Sequence, residues 1–139
     1  MYQTIIIAGN LGRDPEMRYT QGGQAVTNFS VAVNDNYTNS QGERVERTIW
    51  FRVSTWGKQA EICAQYLKKG RKVLVEGRLV ADPATGSPRV FSRQDGSTGS
   101  SFEISASTVR FLSSRDEQGA PGEFSHEEPG GAAEPDIPF

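Results

Sequence analysis

Cysteine and histidine are nearly missing from this 139-residue sequence, which contains one of each. A single cysteine, Cys63, allows no internal disulfide and supplies no thiolate cluster for zinc or iron–sulfur. Its spacing puts it on the apolar side of a helix, so we expect an inert core thiol. No apolar run approaches the roughly 18–20 residues of a membrane span, and residues 1–7 lack the basic region that opens a signal peptide. We therefore expect a soluble, cytoplasmic protein.

Motifs for catalysis are also lacking. The histidine, His126, lies in a segment with no scaffold to hold it as a general base. Gly57-Lys58 departs from the phosphate-loop pattern because Gln59 follows it, and residues 9–12 lack the glycine spacing of a dinucleotide fingerprint. The sequence therefore predicts a protein that is not an enzyme and that needs no metal or cofactor.

A basic balance, the usual sign of a nucleic-acid-binding protein, is missing as well, because the formal net charge is −2. That total conceals two opposed parts. Residues 1–112 contain 14 Lys and Arg against 10 Asp and Glu, whereas residues 113–139 contain one Arg against seven acids. The sequence predicts a basic domain, residues 1–112, that carries an acidic tail, residues 113–139. The tail has four Gly, four Pro and no periodicity, so we expect it to be disordered.

Alternating apolar residues predict strands along most of the domain. The clearest alternation is in residues 25–34, where Thr27, Phe29 and Val31 fall on one face. The other strands are predicted at residues 4–8, 47–56, 71–80, 89–93 and 101–111, with a short resumption of the first at 17–19. Turns or loops are predicted at residues 21–24, 34–42, 81–88 and 94–99.

Residues 58–69 have helical spacing instead, and Gly70 stands where a helix C-terminus favours glycine. Five main strands with one helix between the third and the fourth is the order of an OB-fold, a five-stranded Greek-key barrel. We therefore predict an all-β OB-fold. An SH3-like barrel and a small α+β sheet remain open on strand order alone.

The aromatic residues carry most of the functional signal. In the third strand, Ile49, Phe51, Val53 and Thr55 form the natural core face, so Trp50, Arg52 and Trp56 fall on the face that should be polar. An exposed apolar patch usually marks a binding surface, and nucleic-acid bases stack on such rings regardless of sequence. The alternative is that both tryptophans are core residues under a covering loop. With Arg52 between them on a basic domain, we favour base stacking.

Further rings and cations extend this hypothesis. Tyr37 and Phe91 lie in or beside predicted loops, and Phe91 is flanked by Arg89 and Arg93. Alternating rings and cations suit a flexible single strand, whose bases splay while its phosphates follow a groove. Lys58 and the pair Lys68-Lys69 add positive charge, although a solvated helix end would also explain the pair.

Several segments resemble the bacterial single-stranded DNA-binding proteins. They are GNLGRDPEMRY at 9–19, WFRV at 50–53, WGKQAE at 56–61, YLKKG at 66–70, VEG at 75–77 and the terminal DIPF at 136–139. The resemblance implies an OB-fold and a homotetramer that wraps single-stranded DNA without catalysis, associated with the nucleoid. It also implies that the tip, Asp136, Ile137, Pro138 and Phe139, recruits replication, recombination and repair proteins.

Site residues carry over by position. Trp50 and Trp56 resemble two base-stacking residues of the family, and Tyr37 and Phe91 fall where well-known members have tryptophans. The cations at basic positions of the family are Arg18, Arg52, Lys58, Lys68 and Lys69, and Arg89 joins them as a neighbour of Phe91. Residues 4–8 resemble the family's dimer-forming edge.

Three features depart from the family pattern. The loop before Phe91 is longer than usual, the tip has fewer aspartates, and the linker to the tip is short. Two other functions also remain open on the sequence: an OB-fold adaptor that binds only proteins, and an OB domain that binds RNA.

Overall fold

Segments rich in β-branched and aromatic residues form the strands of the structure, a computed structural model that describes residues 1–112. In chain order its elements are β1 (Ile5–Leu11), β2 (Glu16–Tyr19), β3 (Ala25–Asn34), β4 (Tyr37–Thr38), β5 (Arg44–Val45), β6 (Thr48–Trp56), α1 (Gly57–Tyr66), β7 (Lys72–Val80), β8 (Arg89–Ser92) and β9 (Thr98–Phe111). The predicted tail, with His126 and the tip at 136–139, lies outside the described residues.

Five of these strands close into a barrel. β1 pairs with β3, β3 with β6, β6 with β9, β9 with β7, and β7 with β1 again. Only the β6–β9 pairing among these five is parallel. α1 lies between β6 and β7, the third and fourth barrel strands. The predicted all-β OB-fold is therefore confirmed, rather than the SH3-like barrel or the α+β sheet.

The barrel interior is filled from one parity of each strand. On β3 and β6, Val31 lies opposite Phe51 and Phe29 opposite Val53, and all four are buried. The other buried apolar residues of the cluster include Ile7, Leu11, Cys63, Leu67, Val73, Val75 and Ile104. Such a core provides most of the hydrophobic stabilisation.

α1 packs against the barrel strands β3 and β6 through polar as well as apolar contacts. The hydroxyl of Thr27 donates to the carbonyl oxygen of Ala60 at 2.7 Å. Cys63 is fully buried, and burial raises the pKa of its thiol to about 11, while a hydrogen bond with Thr55 opposes that rise. The predicted place of Cys63 in the core is confirmed, and the raised pKa disfavours the thiolate, which is the reactive form.

Two glycines permit close approach of barrel strands. A Cβ on Gly9 of β1 would overlap the carbonyl oxygen of Ala32 on β3, and one on Gly77 of β7 would overlap that of Ser105 on β9. The pairing of β7 with β9 shifts register between Glu76 and Gly77, where Ser107 of β9 is the extra residue, as in a β-bulge. Any larger residue at either position would push apart strands that must touch for the barrel to close.

Some predicted boundaries were wrong. The helix ends at Tyr66 rather than at residue 69, because Leu67 is already extended and its side chain is buried. Gly70, with a φ of +91°, belongs to the following turn, where its amide donates to Leu11. The predicted loop 34–42 contains β4, which pairs with β5.

No helix within residues 1–112 is long and apolar enough to span a membrane.

Candidate nucleic-acid interface

The register of three neighbouring strands builds one outer sheet face. Arg18 of β2 lies opposite Val26 of β3, which lies opposite Trp56 of β6. Two residues further along β3, Asn28 lies opposite Ser54 of β6. The Ser54 hydroxyl donates to the Asn28 amide oxygen at 2.6 Å. Paired residues project to the same side of a sheet. Arg18 and Trp56, distant in sequence, therefore share a face.

The outer residues of β6 are exposed where their neighbours are buried. Trp50 and Trp56 are 53% and 39% exposed, whereas Phe51 is 9% exposed and Val53 is fully buried. The predicted division of β6 into a core face and an outer face is confirmed. The alternative that both tryptophans belong to the core is wrong.

Trp50 rests against the backbone at the end of β1. A Cβ on Gly12 would lie 2.5 Å from Cζ3 and 2.8 Å from Cη2 of the Trp50 indole. The amide of Gly12 is fixed by donating to the carbonyl oxygen of Ser30 at 3.0 Å. The missing side chain of Gly12 thus leaves the space that the indole ring occupies.

A groove of about 500 Å³ runs between β6 and the β8–β9 hairpin. Four predicted site residues line it together: Arg52, Trp56, Arg89 and Phe91. A second depression, on the other side of Arg52, is lined by Arg13, Asp14 and Ser30 among others. Arg52 therefore links two adjoining concave surfaces, each of which contains a second cation.

Phe91 and Arg93 form a stack on the β8–β9 hairpin. A cation interacts with an aromatic face when it lies within about 6 Å of the ring centroid. The Arg93 guanidinium carbon lies 5.5 Å from the Phe91 ring centroid. Arg93 also donates to the carbonyl oxygen of Thr98 at 2.9 Å. A Cβ on Gly99 would meet both side chains within 3 Å, at 2.5 Å from Arg93 and 2.9 Å from Phe91. Gly99 thus makes room for the stack.

Tyr37 forms a similar stack on the separate β4–β5 sheet. The Arg47 guanidinium carbon lies 5.0 Å from the Tyr37 ring centroid. Arg47 is held in turn by Asp35, with Nη2 and Nε at 2.7 and 2.8 Å from one carboxylate oxygen. This hydrogen bond and the charge of Asp35 raise the pKa of Arg47 above its ordinary value. Tyr37 is exposed but does not line the groove with Phe91.

The remaining predicted cations are exposed on the flanks. Arg18 forms a 3.5 Å ion pair with Glu16, and Lys58 lies in the first turn of α1. Lys68 and Lys69 follow α1, where the Lys69 amide donates to the Asp14 carboxylate at 2.9 Å. That bond ties their loop to the depression containing Arg13.

Sequence reasoning missed several residues of this surface. Arg47, Arg13 and Glu103 were not predicted as site residues, and the roles of Gly12 and Gly99 are visible only in three dimensions. Glu103 of β9 lines the groove and lies opposite Arg52 of β6. The alternation of side chains along β9 could have put Glu103 on the outer face, but only the β6–β9 pairing brings it to Arg52.

Within residues 1–112, no group of three or more His, Cys, Asp or Glu is arranged to hold a metal ion.

Comparison with known sequences gives a family. The model of the single-strand binding protein family matches residues 2–112. The single-stranded DNA-binding protein of Neisseria meningitidis serogroup A is 42% identical over 121 residues, which is 86% of this chain and 66% of that protein. Single-stranded DNA-binding protein 1 of Chlorobaculum tepidum is 39% identical over 125 residues, covering 88% of this chain and 72% of the relative. The chain thus spans about two thirds of the Neisseria protein.

Solved structures show the same fold. A deletion mutant of the single-stranded DNA-binding protein from Thermus aquaticus superposes with a TM-score of 0.63 at 30% identity, covering 81% of this chain and 51% of that one. The small single-stranded DNA-binding protein from Streptomyces coelicolor has a TM-score of 0.63 at 24% identity, covering 78% and 93%. At that identity the second match supports the fold alone.

Proposed function

The chain belongs to the single-strand binding protein family, and we propose that it binds and protects single-stranded DNA without sequence specificity and without catalysis. The observation that carries this proposal is the outer face of β6. There the exposed Trp50 and Trp56 flank Arg52, which borders a groove containing Arg89 and Phe91. Rings and cations alternate across this surface.

The two kinds of side chain serve different parts of the ligand. Bases stack on Trp50, Trp56 and Phe91, and each stacked base contributes about 1–3 kcal/mol because every base has a π-face. Arg52 and Arg89 neutralise phosphates and release counterions, so affinity falls as salt rises. Arg18, Lys58, Lys68 and Lys69 extend the positive surface on the flanks.

A single strand fits these rings better than a duplex does. In a duplex the base faces are stacked on one another, so an exposed indole cannot reach them. Arg47 and Arg93 lie against the rings of Tyr37 and Phe91. The arginine covers one face of each ring, so the other face is left for a base to stack on. The same arginine lies close enough to the base to contact the DNA backbone.

Intrinsic tryptophan fluorescence, titrated with homopolymer single strands and with duplex as control, tests the proposal. We expect single strands to quench the emission and duplex to bind much more weakly. Absence of quenching, or tighter duplex binding, would contradict it. Competition between RNA and DNA strands of one sequence separates DNA from RNA as the ligand, and a protein-only adaptor would bind neither.

We also propose that the protein acts as a homotetramer in which β1 forms the edge that joins two chains into a dimer. Backbone pairing supports this, because β1 pairs with β7 from Ile5 to Asn10 but meets β3 only at Asn10 and Leu11. The side chain of Ile6 is exposed beside this unpaired edge. An open strand edge with apolar side chains favours pairing with another chain. The mass of the native particle tests this assembly, since a monomer or a dimer would contradict it.

For the tip at residues 136–139 we propose recruitment of replication, recombination and repair proteins, in the cytoplasm at the nucleoid. Two large apolar side chains, Ile137 and Phe139, in an acidic segment suit a partner's pocket with a basic rim. Deleting Asp136–Phe139 should abolish retention of such partners. DNA affinity should stay equal or rise, because the acids compete for the basic groove. Weaker DNA binding after the deletion would count against this role.

A further inference from the structure

The arm that carries Tyr37 has little sheet structure of its own. It comprises residues 35–47, between β3 and β6, and contains β4 and β5. These two strands pair at two positions, Tyr37 with Val45 and Thr38 with Arg44. A two-stranded ribbon of this size is marginally stable in water by itself. The orientation of the Tyr37 ring therefore depends on contacts other than strand pairing.

An ion pair at the root of the arm provides such a contact. The last pair between β3 and β6 is Asn34 with Thr48. One residue further into the arm, the Asp35 amide donates to the Arg47 carbonyl oxygen at 2.9 Å. Arg47 in turn donates from Nη2 and Nε to one Asp35 carboxylate oxygen. Two charge-assisted bonds from a planar guanidinium fix its orientation.

The fixed guanidinium lies over one face of the Tyr37 ring. Its carbon atom is 5.0 Å from the ring centroid, within the reach of a cation–π contact. Tyr37 is 44% exposed, so part of the ring remains open to a ligand. A ring that is already held loses less freedom when a base stacks on it, and a smaller ordering cost gives tighter binding.

We propose that Asp35 and Arg47 are positioning residues of the DNA site: Asp35 fixes Arg47, and Arg47 holds the Tyr37 ring in the orientation in which a base stacks on it. The proposal rests on the proposed function and adds two residues to it. It means that an acid beside the DNA strengthens binding. The competing explanation is that Asp35 only cancels the charge of Arg47 and so weakens the attraction to phosphates.

The two explanations predict opposite effects of Asp35→Ala in the full chain. Tryptophan fluorescence titrated with oligo(dT) of about 64 nucleotides measures affinity, since four OB-folds cover about 16 nucleotides each at most. We expect Asp35→Ala to bind about threefold more weakly, because a loosened ring loses part of its stacking. Asp35→Glu restores a carboxylate for Arg47 and should recover most of that loss. Unchanged or tighter binding by Asp35→Ala would overturn the proposal.

Glu46→Ala is the matched control. Glu46 is an exposed acid of the same arm, and it forms a 3.7 Å ion pair with Arg44 rather than with the arginine over the ring. Its removal should leave affinity equal or raise it up to about twofold, because an acid that repels phosphates is lost. If Glu46→Ala weakens binding as much as Asp35→Ala does, the loss comes from the arm in general and the proposal is wrong.

Arg47→Lys tests the second step, from the cation to the ring. Lysine keeps the positive charge but lacks the planar group that bonds Asp35 and covers the ring. We expect a loss close to that of Asp35→Ala. Affinity equal to that of the unmodified chain would show that Arg47 acts through charge alone, contrary to the proposal.

A double-mutant cycle with Tyr37→Ala shows whether Asp35 acts through the ring. Without the ring, Asp35→Ala should weaken binding no further. A threefold loss that persists in the Tyr37→Ala background would refute the positioning role. So would an unchanged affinity in Tyr37→Ala itself, which would leave single-strand binding by the rest of the surface intact. Failure of the unmodified chain to bind oligo(dT) would instead overturn the proposed function.

Discussion

The two faces of β6 contain similar residues in opposite surroundings. Trp50 and Phe51 are adjacent aromatic residues, yet Trp50 is exposed on the outer face and Phe51 is packed in the barrel. The inner ring contacts Phe102, with centroids 5.7 Å apart. The outer ring lies over Gly12 and meets solvent. Residue type alone therefore does not assign an aromatic residue to the core, whereas its parity on the strand does.

This difference separates stability from binding within nine residues of chain. Inner residues gain free energy by leaving water when the barrel folds. Outer residues retain exposed apolar surface that is available to a ligand. Substitutions on the two faces should therefore change different measured quantities, and the following predictions test that separation.

Phe51→Ala should have the largest effect, on stability. Removing a buried aromatic ring typically lowers the free energy of unfolding by about 3–5 kcal/mol, from lost transfer energy and the remaining cavity. Urea unfolding at one fixed protein concentration measures the loss. The folded protein should still bind single strands with nearly unchanged affinity. A large affinity loss in fully folded protein would show that the two faces are coupled.

Cys63, which packs against Thr55 of the inner face, should make stability depend on alkaline pH. Its thiol has a folded pKa of about 11 against an ordinary value of 9.0. Between these values the unfolded chain releases the proton while the folded chain keeps it, so stability falls as pH rises from 9 to 11. The loss is about 2–3 kcal/mol at the upper end. Unfolding free energies measured at pH 8 and 11 test this.

Cys63→Ala supplies the control for this pH effect. At pH 8 the variant is less stable than the unmodified chain because a buried sulfur is removed, but the part of the alkaline decline due to the thiol should vanish. The two proteins differ only at residue 63, so the difference between the two slopes isolates Cys63. Identical slopes would mean that the thiol ionises as easily in the folded chain as in the unfolded one.

Much of the fold was predictable because strand periodicity is a local signal. The limits of β3 match the prediction, and the core parity of β6 follows from Phe51, Val53 and Thr55. The helix end was misplaced because Gly70 is a strong local stop signal. The structure ends the helix earlier, where burial of Leu67 and the bond from Gly70 to Leu11 require an extended chain. Those are contacts between distant segments.

The candidate site was predictable only in part, for the same reason. Alternation along one strand put Trp50 and Trp56 on the outer face. Their neighbours come from other strands, and pairing register, rather than local pattern, brings Arg18 into line with Trp56. Glu103 joins the groove through a parallel pairing of strands about fifty residues apart in sequence. No local pattern encodes that proximity.

On the outer face, Trp50→Ala should reduce affinity for single strands and leave stability nearly unchanged. The expected loss is about 1–3 kcal/mol of binding free energy, the contribution of one stacked base. Titration with oligo(dT), followed through quenching of the remaining Trp56, measures it. Tyr19→Ala is the matched control, because Tyr19 is an exposed aromatic residue on β2 and does not belong to the outer face of β6. Equal losses in the two variants would argue against a specific role for Trp50.

Gly12→Ala should give the smallest effect and test how Trp50 is held. The new Cβ would lie 2.5 Å from the indole, so the ring must move, while the backbone φ of Gly12 is not positive and tolerates alanine. Tilting one ring weakens stacking without removing it, so we expect a loss of about 0.5–1 kcal/mol in binding. Gly22→Ala is the control, since the nearest atom to its new Cβ would be 3.9 Å away.

In the Trp50→Ala background, Gly12→Ala should change affinity no further, because a double-mutant cycle reports only the shared interaction. A loss that persists without the indole would mean that Gly12 contacts DNA through its own backbone.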